Sequence, residues 1–195
     1  MNRLSFLIIS AISLMLCSCG NNKQASEEKH EPTSIQQSLL NNDWTFSTPS
    51  EGEMPESYGI KNEYGIQDNY FDITMGTDYD LVVRIINIQN KNCIRYVFVP
   101  NNTTVTVQDI PQGEYVLKLS YGTEWMENTT DPITKGKFTE NTTYEQVRSI
   151  FDFGRKNSQS VVSYKLEIQV ENNVLTKSFE TDEISEKRFF EDSNI

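Results

Sequence analysis

Asp72, Asp78 and Asp80 are the residues in this 195-residue chain whose types and spacing come closest to a chemical site. Three carboxylates so close together suit a calcium loop or the acid pair of a glycosidase. They equally suit a solvated turn before a strand, and that is the reading adopted. His30 is the single histidine and falls in a polar stretch, which removes Ser-His and Cys-His pairs and histidine metal clusters from the folded part of the chain. Gly136 and Gly154 stand alone, without a glycine-rich phosphate loop. The expectation is therefore a protein that is not an enzyme, with no catalytic residues, no metal ligands and no cofactor.

The cysteines carry a different chemistry. Arg3 is followed by an apolar run from Leu4 to Leu16, too short to span a bilayer, which needs about 20 helical residues, but right for a signal peptide. Leu16, Cys17, Ser18 and Cys19 then resemble the lipobox of bacterial lipoproteins. The resemblance implies cleavage after Ser18 and acylation of Cys19, because Ser18 supplies the small residue that the peptidase needs, whereas Leu16 would occupy that place before Cys17. Of the remaining cysteines only Cys93 survives processing, so no intramolecular disulfide is available. It reads as a small hydrophobe at the start of a strand.

Stepping along the mature chain, residues 20 to 42 are polar and lack aromatics, which reads as a tether. Lys23 to Glu28 resembles the acidic surface-export signals of Bacteroidetes lipoproteins. Residues 43 to 68 mix Trp44, Phe46, Tyr58 and Tyr64 with prolines and glycines, the composition of an extended arm covering a sheet edge. From 69 to 195 the period is two. Tyr115, Leu117, Leu119 and Tyr121 alternate with polar neighbours, as do Tyr164, Leu166, Ile168 and Val170, while Leu81 to Ile88 is apolar on both faces and belongs in mid-sandwich. Pro111 and Gly113 mark one reversal, Asn101 and Asn102 another, and Asn172 and Asn173 a hairpin. Asp182 to Glu191, with Thr181 as N-cap, reads as a short C-terminal helix. The fold class expected is all-β: a single antiparallel β-sandwich of about seven or eight strands with a short C-terminal helix, preceded by a signal peptide (1–18) and a lipidated tether (19–42).

The succession NYFDI, LVVRIIN, CIRYVFVPNNTTVTVQDIPQGEYVLKLSYGTEW, KGKFTENTTYEQ and YKLEIQVENNVLTKSFETDEIS is similar to an uncharacterised bacterial domain with Pro-x-Gly-x-Tyr and Gly-x-x-Trp motifs. In style it resembles transthyretin-like and carboxypeptidase-regulatory-like sandwiches. The resemblance implies a fold and no catalytic residues.

The net charge of −11 drops by one unit when residues 1 to 18, containing Arg3 and no acid, are removed. Such an acidic chain repels nucleic acid and anionic headgroups, so no nucleic-acid partner is expected and membrane attachment must come from the N-terminal lipid. The implied location is the cell envelope, with the outer membrane favoured. The implied role is a noncatalytic module that binds an envelope or surface protein, or assembles with it. Glycan binding is the alternative, with Tyr58, Tyr64, Tyr79, Trp125 and Tyr144 as the rings that could stack on a sugar and Tyr79, Trp125 and Tyr144 as the candidate ligand-binding residues. Counting in twos from Tyr115 also aims Trp125 into the sandwich. Replacing Cys19 with serine should abolish acyl labelling and leave unprocessed precursor, and replacing Cys17 should do neither; equal loss from both would move the processing site.

Overall fold

The computed structural model describes residues 31–53, 58–130, 133–154, 161–171 and 174–191. Cys17, Cys19, His30, the stretches read as a signal peptide and an export signal, and the reversal expected at Asn172 and Asn173 lie outside them. In chain order the elements are α1 (Ser34–Leu40), β1 (Trp44–Phe46), β2 (Gly52–Glu53), β3 (Tyr70–Met75), β4 (Asp80–Asn87), β5 (Cys93–Val99) and β6 (Thr103–Gln108). They continue with β7 (Glu114–Asn128), β8 (Lys135–Val147), β9 (Phe151–Asp152), β10 (Tyr164–Glu171), β11 (Val174–Lys177), β12 (Thr181–Glu183) and α2 (Glu186–Phe190).

Two sheets form the sandwich. The larger has eight strands in the order β12-β8-β7-β4-β5-β2, with β1 and β9 also pairing β7, and the smaller has four in the order β11-β10-β3-β6. The all-β fold class is thus the one expected. The strand count is higher than seven or eight because β1, β2, β9 and β12 are strands of two or three residues laid along longer ones. Every pairing is antiparallel except β3 with β10, which run parallel from Phe71 opposite Tyr164 to Met75 opposite Ile168. Most of the larger sheet intervenes in sequence between these two strands, as a parallel crossover requires.

The smaller sheet is apolar on one face only. Phe71, Ile73 and Met75, Val105 and Val107, and Leu166 and Ile168 meet Leu81, Val83, Ile85, Val97, Leu117 and Leu119 of the larger sheet to make the main core. Outside, Thr106 donates to Asp72 and the Thr74 and Thr104 hydroxyls bond at 2.8 Å, the polar face of a solvated sheet. The larger sheet is apolar on both faces. Its far side carries Val82, Tyr96, Phe98, Trp125 and Phe138, and these are covered by Tyr58 and Ile60 of the arm and by Ile184 and Phe189 near and within α2.

Around the Pro-x-Gly-x-Tyr turn, the Tyr115 hydroxyl donates to the Pro111 carbonyl at 2.9 Å, so the strand's first inward ring also ties down the reversal before it. Buried Asn69 brackets the same turn, accepting from Ile110 N–H and donating to its carbonyl, both at 2.8 Å. Gly65 backs it so closely that a Cβ there would lie 2.8 Å from the Ile110 carbonyl oxygen.

Three boundaries differ from the sequence expectation. The stretch read as tether contains α1, started by a capping box between Thr33 and Gln36, and the Gln36 amide is buried against Thr139 at 3.0 Å and Glu140 at 3.2 Å. The compact unit accordingly runs from Pro32 to Ile195, not from residue 69. The final helix begins at Glu186 with Ser185 as its cap, because Thr181 to Glu183 pair instead with β8 and Arg148 holds Asp182 at 2.7 Å. Pairing to an available strand edge outweighs the local capping signal at Thr181.

A chain starting at Asn69 loses α1, β1, β2 and the Tyr58 and Ile60 cover. Burying each such side chain contributes about 1.5–3 kcal/mol. The truncated domain should melt at least ~10 °C below one starting at Pro32, measured by circular dichroism; equal melting temperatures would make the arm an ornament.

Candidate functional site: an aromatic pocket on the outer face of the larger sheet

Residue parity places the site. On β4 and β5, Arg84 and Tyr96 are cross-strand partners on the face away from the main core, next to Val82 and Phe98. Over this face the arm, the start of β8 and α2 leave a pocket of about 350 Å³, lined by Trp44, Tyr58, Ile60, Arg84, Tyr96, Ile133, Thr134, Lys135, Gly136, Lys137, Glu186 and Phe190.

Each wall is pinned by an identifiable contact. Glu127 accepts from the Tyr58 hydroxyl at 2.6 Å and from Trp125 Nε1 at 2.9 Å, fastening the arm to β7, and the Tyr58 and Tyr96 rings lie 5.0 Å apart. Lys137 reaches Glu186 at 3.0 Å and sits 5.6 Å from the Trp44 ring centre, joining β8, β1 and α2. Gly136 is required by the indole behind it, since a Cβ there would fall 2.3 Å from Trp125 Cζ2.

Two buried cations hold α2 in place. Arg84 donates to the Phe189 carbonyl with its guanidinium 5.7 Å from the Phe189 ring centre, and its β7 neighbour Lys118, fully buried, donates to the carbonyls of Arg188, at 2.7 Å, and Glu191. The carbonyls of a helix C-terminus lack intrahelical donors and carry partial negative charge, so cations there satisfy both needs. Tyr96 is different: it is 3 % exposed, lines the pocket, and has a buried hydroxyl without a hydrogen-bond partner among the described residues.

The candidate ligand residues from the sequence are not brought into one site. Tyr79 packs toward the main core, its ring 6.2 Å from that of Tyr121. Trp125 is 5 % exposed, between Phe98 and Phe138 at 5.9 and 4.8 Å. It is buried as expected but on the opposite face from Tyr121, because the register shifts between Tyr121 and Thr123 and Glu124 takes a φ of +55°. Its edge lines a second recess of about 400 Å³ with Phe46, Asp80 and Glu124. Tyr144 stacks on Phe189 at 5.3 Å. None of the three lines the aromatic pocket. Of the aspartates, Asp72 faces Thr106 and Lys165, and Asp80 accepts from Asn101 N–H at 2.8 Å, as turn and surface residues do. Cys93 is buried beside Ile86 and Val116, its thiol donating to the Arg95 carbonyl at 3.1 Å.

Sequence reading named Trp44 only as part of an arm, and Tyr58, which does line the pocket, as one of several rings that could stack on a sugar. It passed over Tyr96, Arg84 and Lys135 to Lys137. The signal for Tyr96 was present in its alternation with Val97 and Val99, which face the core.

Burial pushes the hydroxyls of Tyr58, Tyr96, Tyr121 and Tyr144 well above the ordinary tyrosine range; Glu127 beside Tyr58 and Glu145 beside Tyr121 add to the rise. These groups stay neutral at any ordinary pH.

Comparison of the chain with protein-family models, curated proteins and solved structures gives no match.

Because the folded hydroxyls titrate above the unfolded value of about 10, their contribution to stability is complete below that pH and is lost as pH rises beyond it. The melting temperature should hold steady from neutral pH to about 9.5 and then fall steeply, and the tyrosinate absorbance of these four rings, read as the difference from the matching Tyr→Phe variants, should appear only on unfolding. Tyrosinate from one of these four forming before the melting temperature drops would mean that the ring is open to solvent.

Proposed function

We propose that this chain is a cell-envelope lipoprotein, acylated at Cys19 and held to a membrane by its lipid, whose sandwich is a noncatalytic module that binds an envelope or surface protein. The observation that carries the reading is the aromatic pocket. Its walls are rings and aliphatic groups, while Phe190 and Ile133 at its lining remain 42 % and 51 % exposed, so apolar surface is presented around a cavity. A concave apolar site with a few polar groups is where a partner's anchoring side chain gains most from leaving water. Each buried methylene of an acyl chain adds about 0.8 kcal/mol to membrane retention, which an acidic protein does not obtain from anionic headgroups.

One observation favours the carbohydrate alternative: Trp44, Tyr58 and Tyr96 share a single pocket, and sugar C–H faces pack on such rings. The mainly apolar lining favours a protein anchor over a sugar, whose many hydroxyls each need a partner.

The soluble chain from Gly20, immobilised and exposed to envelope extract, should retain a defined partner that Ile133→Glu releases, with the melting temperature within ~2 °C of wild type because the side chain is at the surface. Retention of the same partner in the same yield by Ile133→Glu would remove the pocket from the reading. Selective signals on a glycan array, lost with Trp44→Ala, would replace the protein partner with a sugar.

A further inference from the structure

The smaller sheet ends in a strand without the usual protection of an edge. β6 pairs β3 on one side, and no strand among the described residues pairs its other edge. The register shows which backbone groups are left over. Asp109 N–H donates to the Asn69 carbonyl at 3.1 Å, so Val107, Val105 and Thr103 bond to β3, while Thr104, Thr106 and Gln108 turn their N–H and C=O groups outward. The Gln108 carbonyl faces the same way, accepting from the Arg95 guanidinium at 3.4 Å. Thr104 and Thr106 are exposed, and Val105 and Val107 point into the core. Edge strands are commonly shortened or charged. The other strands that end a sheet follow that rule: β2 has two residues, β12 reads Thr-Asp-Glu and β11 ends in Lys177. Thr103–Gln108, TTVTVQ, runs for six residues without a charge or a proline and is mostly β-branched, the composition that accepts a further strand.

We infer that β6 is a homotypic interface, through which two copies of this chain pair antiparallel about a two-fold axis at Val105. Thr104 then stands opposite Thr106 of the second copy, and every outward N–H and carbonyl of these two residues is paired. Threonine neighbours meet on the solvent face, and no like charges are set opposite one another along the strand. Their hydroxyls are already ordered there, Thr104 by Thr74 and Thr106 by Asp72, both at 2.8 Å. The strand thus matches its own antiparallel copy at each outward position, which an unrelated segment would have to be selected to do. The contact uses the same edge on both copies, so it closes as a dimer and does not propagate. It is separate from the aromatic pocket, whose lining includes no residue of β6.

The test uses the chain from Gly20, which contains the whole compact unit from Pro32 to Ile195. Sedimentation equilibrium runs from ~10 µM to ~1 mM at ~0.15 M salt, where repulsion between the acidic copies is screened beyond ~8 Å. The mass should rise from monomer to dimer across that range and go no further. In ¹⁵N spectra, hydrogen exchange at the Thr104 and Thr106 amides should slow with concentration, while Val105 and Val107, bonded to β3, stay protected throughout. Thr106→Pro removes an outward N–H and no bond to β3, and should weaken association at least about tenfold, the scale of one lost hydrogen bond per copy. The double variant Thr104→Lys, Thr106→Lys sets like charges opposite one another with both side chains in solvent, so it reads the same contact should the proline variant melt early. A monomer at every concentration overturns the proposal. So does a dimer that neither variant weakens, or one in which the Thr104 and Thr106 amides exchange as freely as in the monomer.

Discussion

A strand that is apolar on both faces has to be covered twice. In β4, Leu81, Val83 and Ile85 enter the main core while Val82 and Arg84 face the other way, and β5 and β7 repeat the arrangement. The smaller sheet covers one side completely and can then be polar outside. The second side has no sheet to meet, so it is closed by pieces: an arm, the strand β8 as it bends past Trp125, and a helix of five residues. Most of what distinguishes this sandwich follows from that unequal cover.

A layer assembled from pieces packs less completely than a sheet. Sheet-on-sheet contact excludes voids because neighbouring side chains interdigitate along whole strands. Three short segments touch the same face at separate points, and the space they fail to fill is the aromatic pocket. The polar contacts in this layer, Glu127 with Tyr58 and Trp125, and Lys137 with Glu186, join segments to one another around the gap. The cavity is therefore bounded by elements that hydrogen bonds fix in place, which is the condition for a preformed site.

What the sequence disclosed is what period and turn chemistry encode. The two-faced run at Leu81 to Ile88, the alternation around Tyr115 and Leu166 and the Pro-Gly reversal all read directly as sheet. Trp125 shows the limit. Counting in twos gave a buried ring on the Tyr121 face, whereas the irregularity at Thr123 and Glu124 carries it to the other, and nothing in Gly-Thr-Glu-Trp announces an extra backbone step. Thr181 shows another: its capping pattern is sound locally, yet a free edge on β8 claims it as a strand. The capping box at Thr33 was legible but lay within polar composition. The pocket was hidden for a deeper reason, because its lining comes from β1, the arm, β4, β5, β8 and α2, and only the register of the sheet places Arg84 beside Tyr96.

The clasp of Arg84 and Lys118 on the carbonyls of α2 has a consequence for the order in which the protein can be completed. Both cations are set into the sheet when β4 and β7 pair, but the carbonyls that receive them belong to the last helix in the chain. Until that helix arrives, two positive charges and the apolar residues around them face water. For a chain synthesised from its N-terminus, the larger sheet can form with part of this face bare, until α2 at the end of the chain completes the cover that the arm begins. The lag between sheet formation and sealing is a built-in interval in which this face is open to a chaperone, to a protease or to a neighbouring chain offering the same carbonyls.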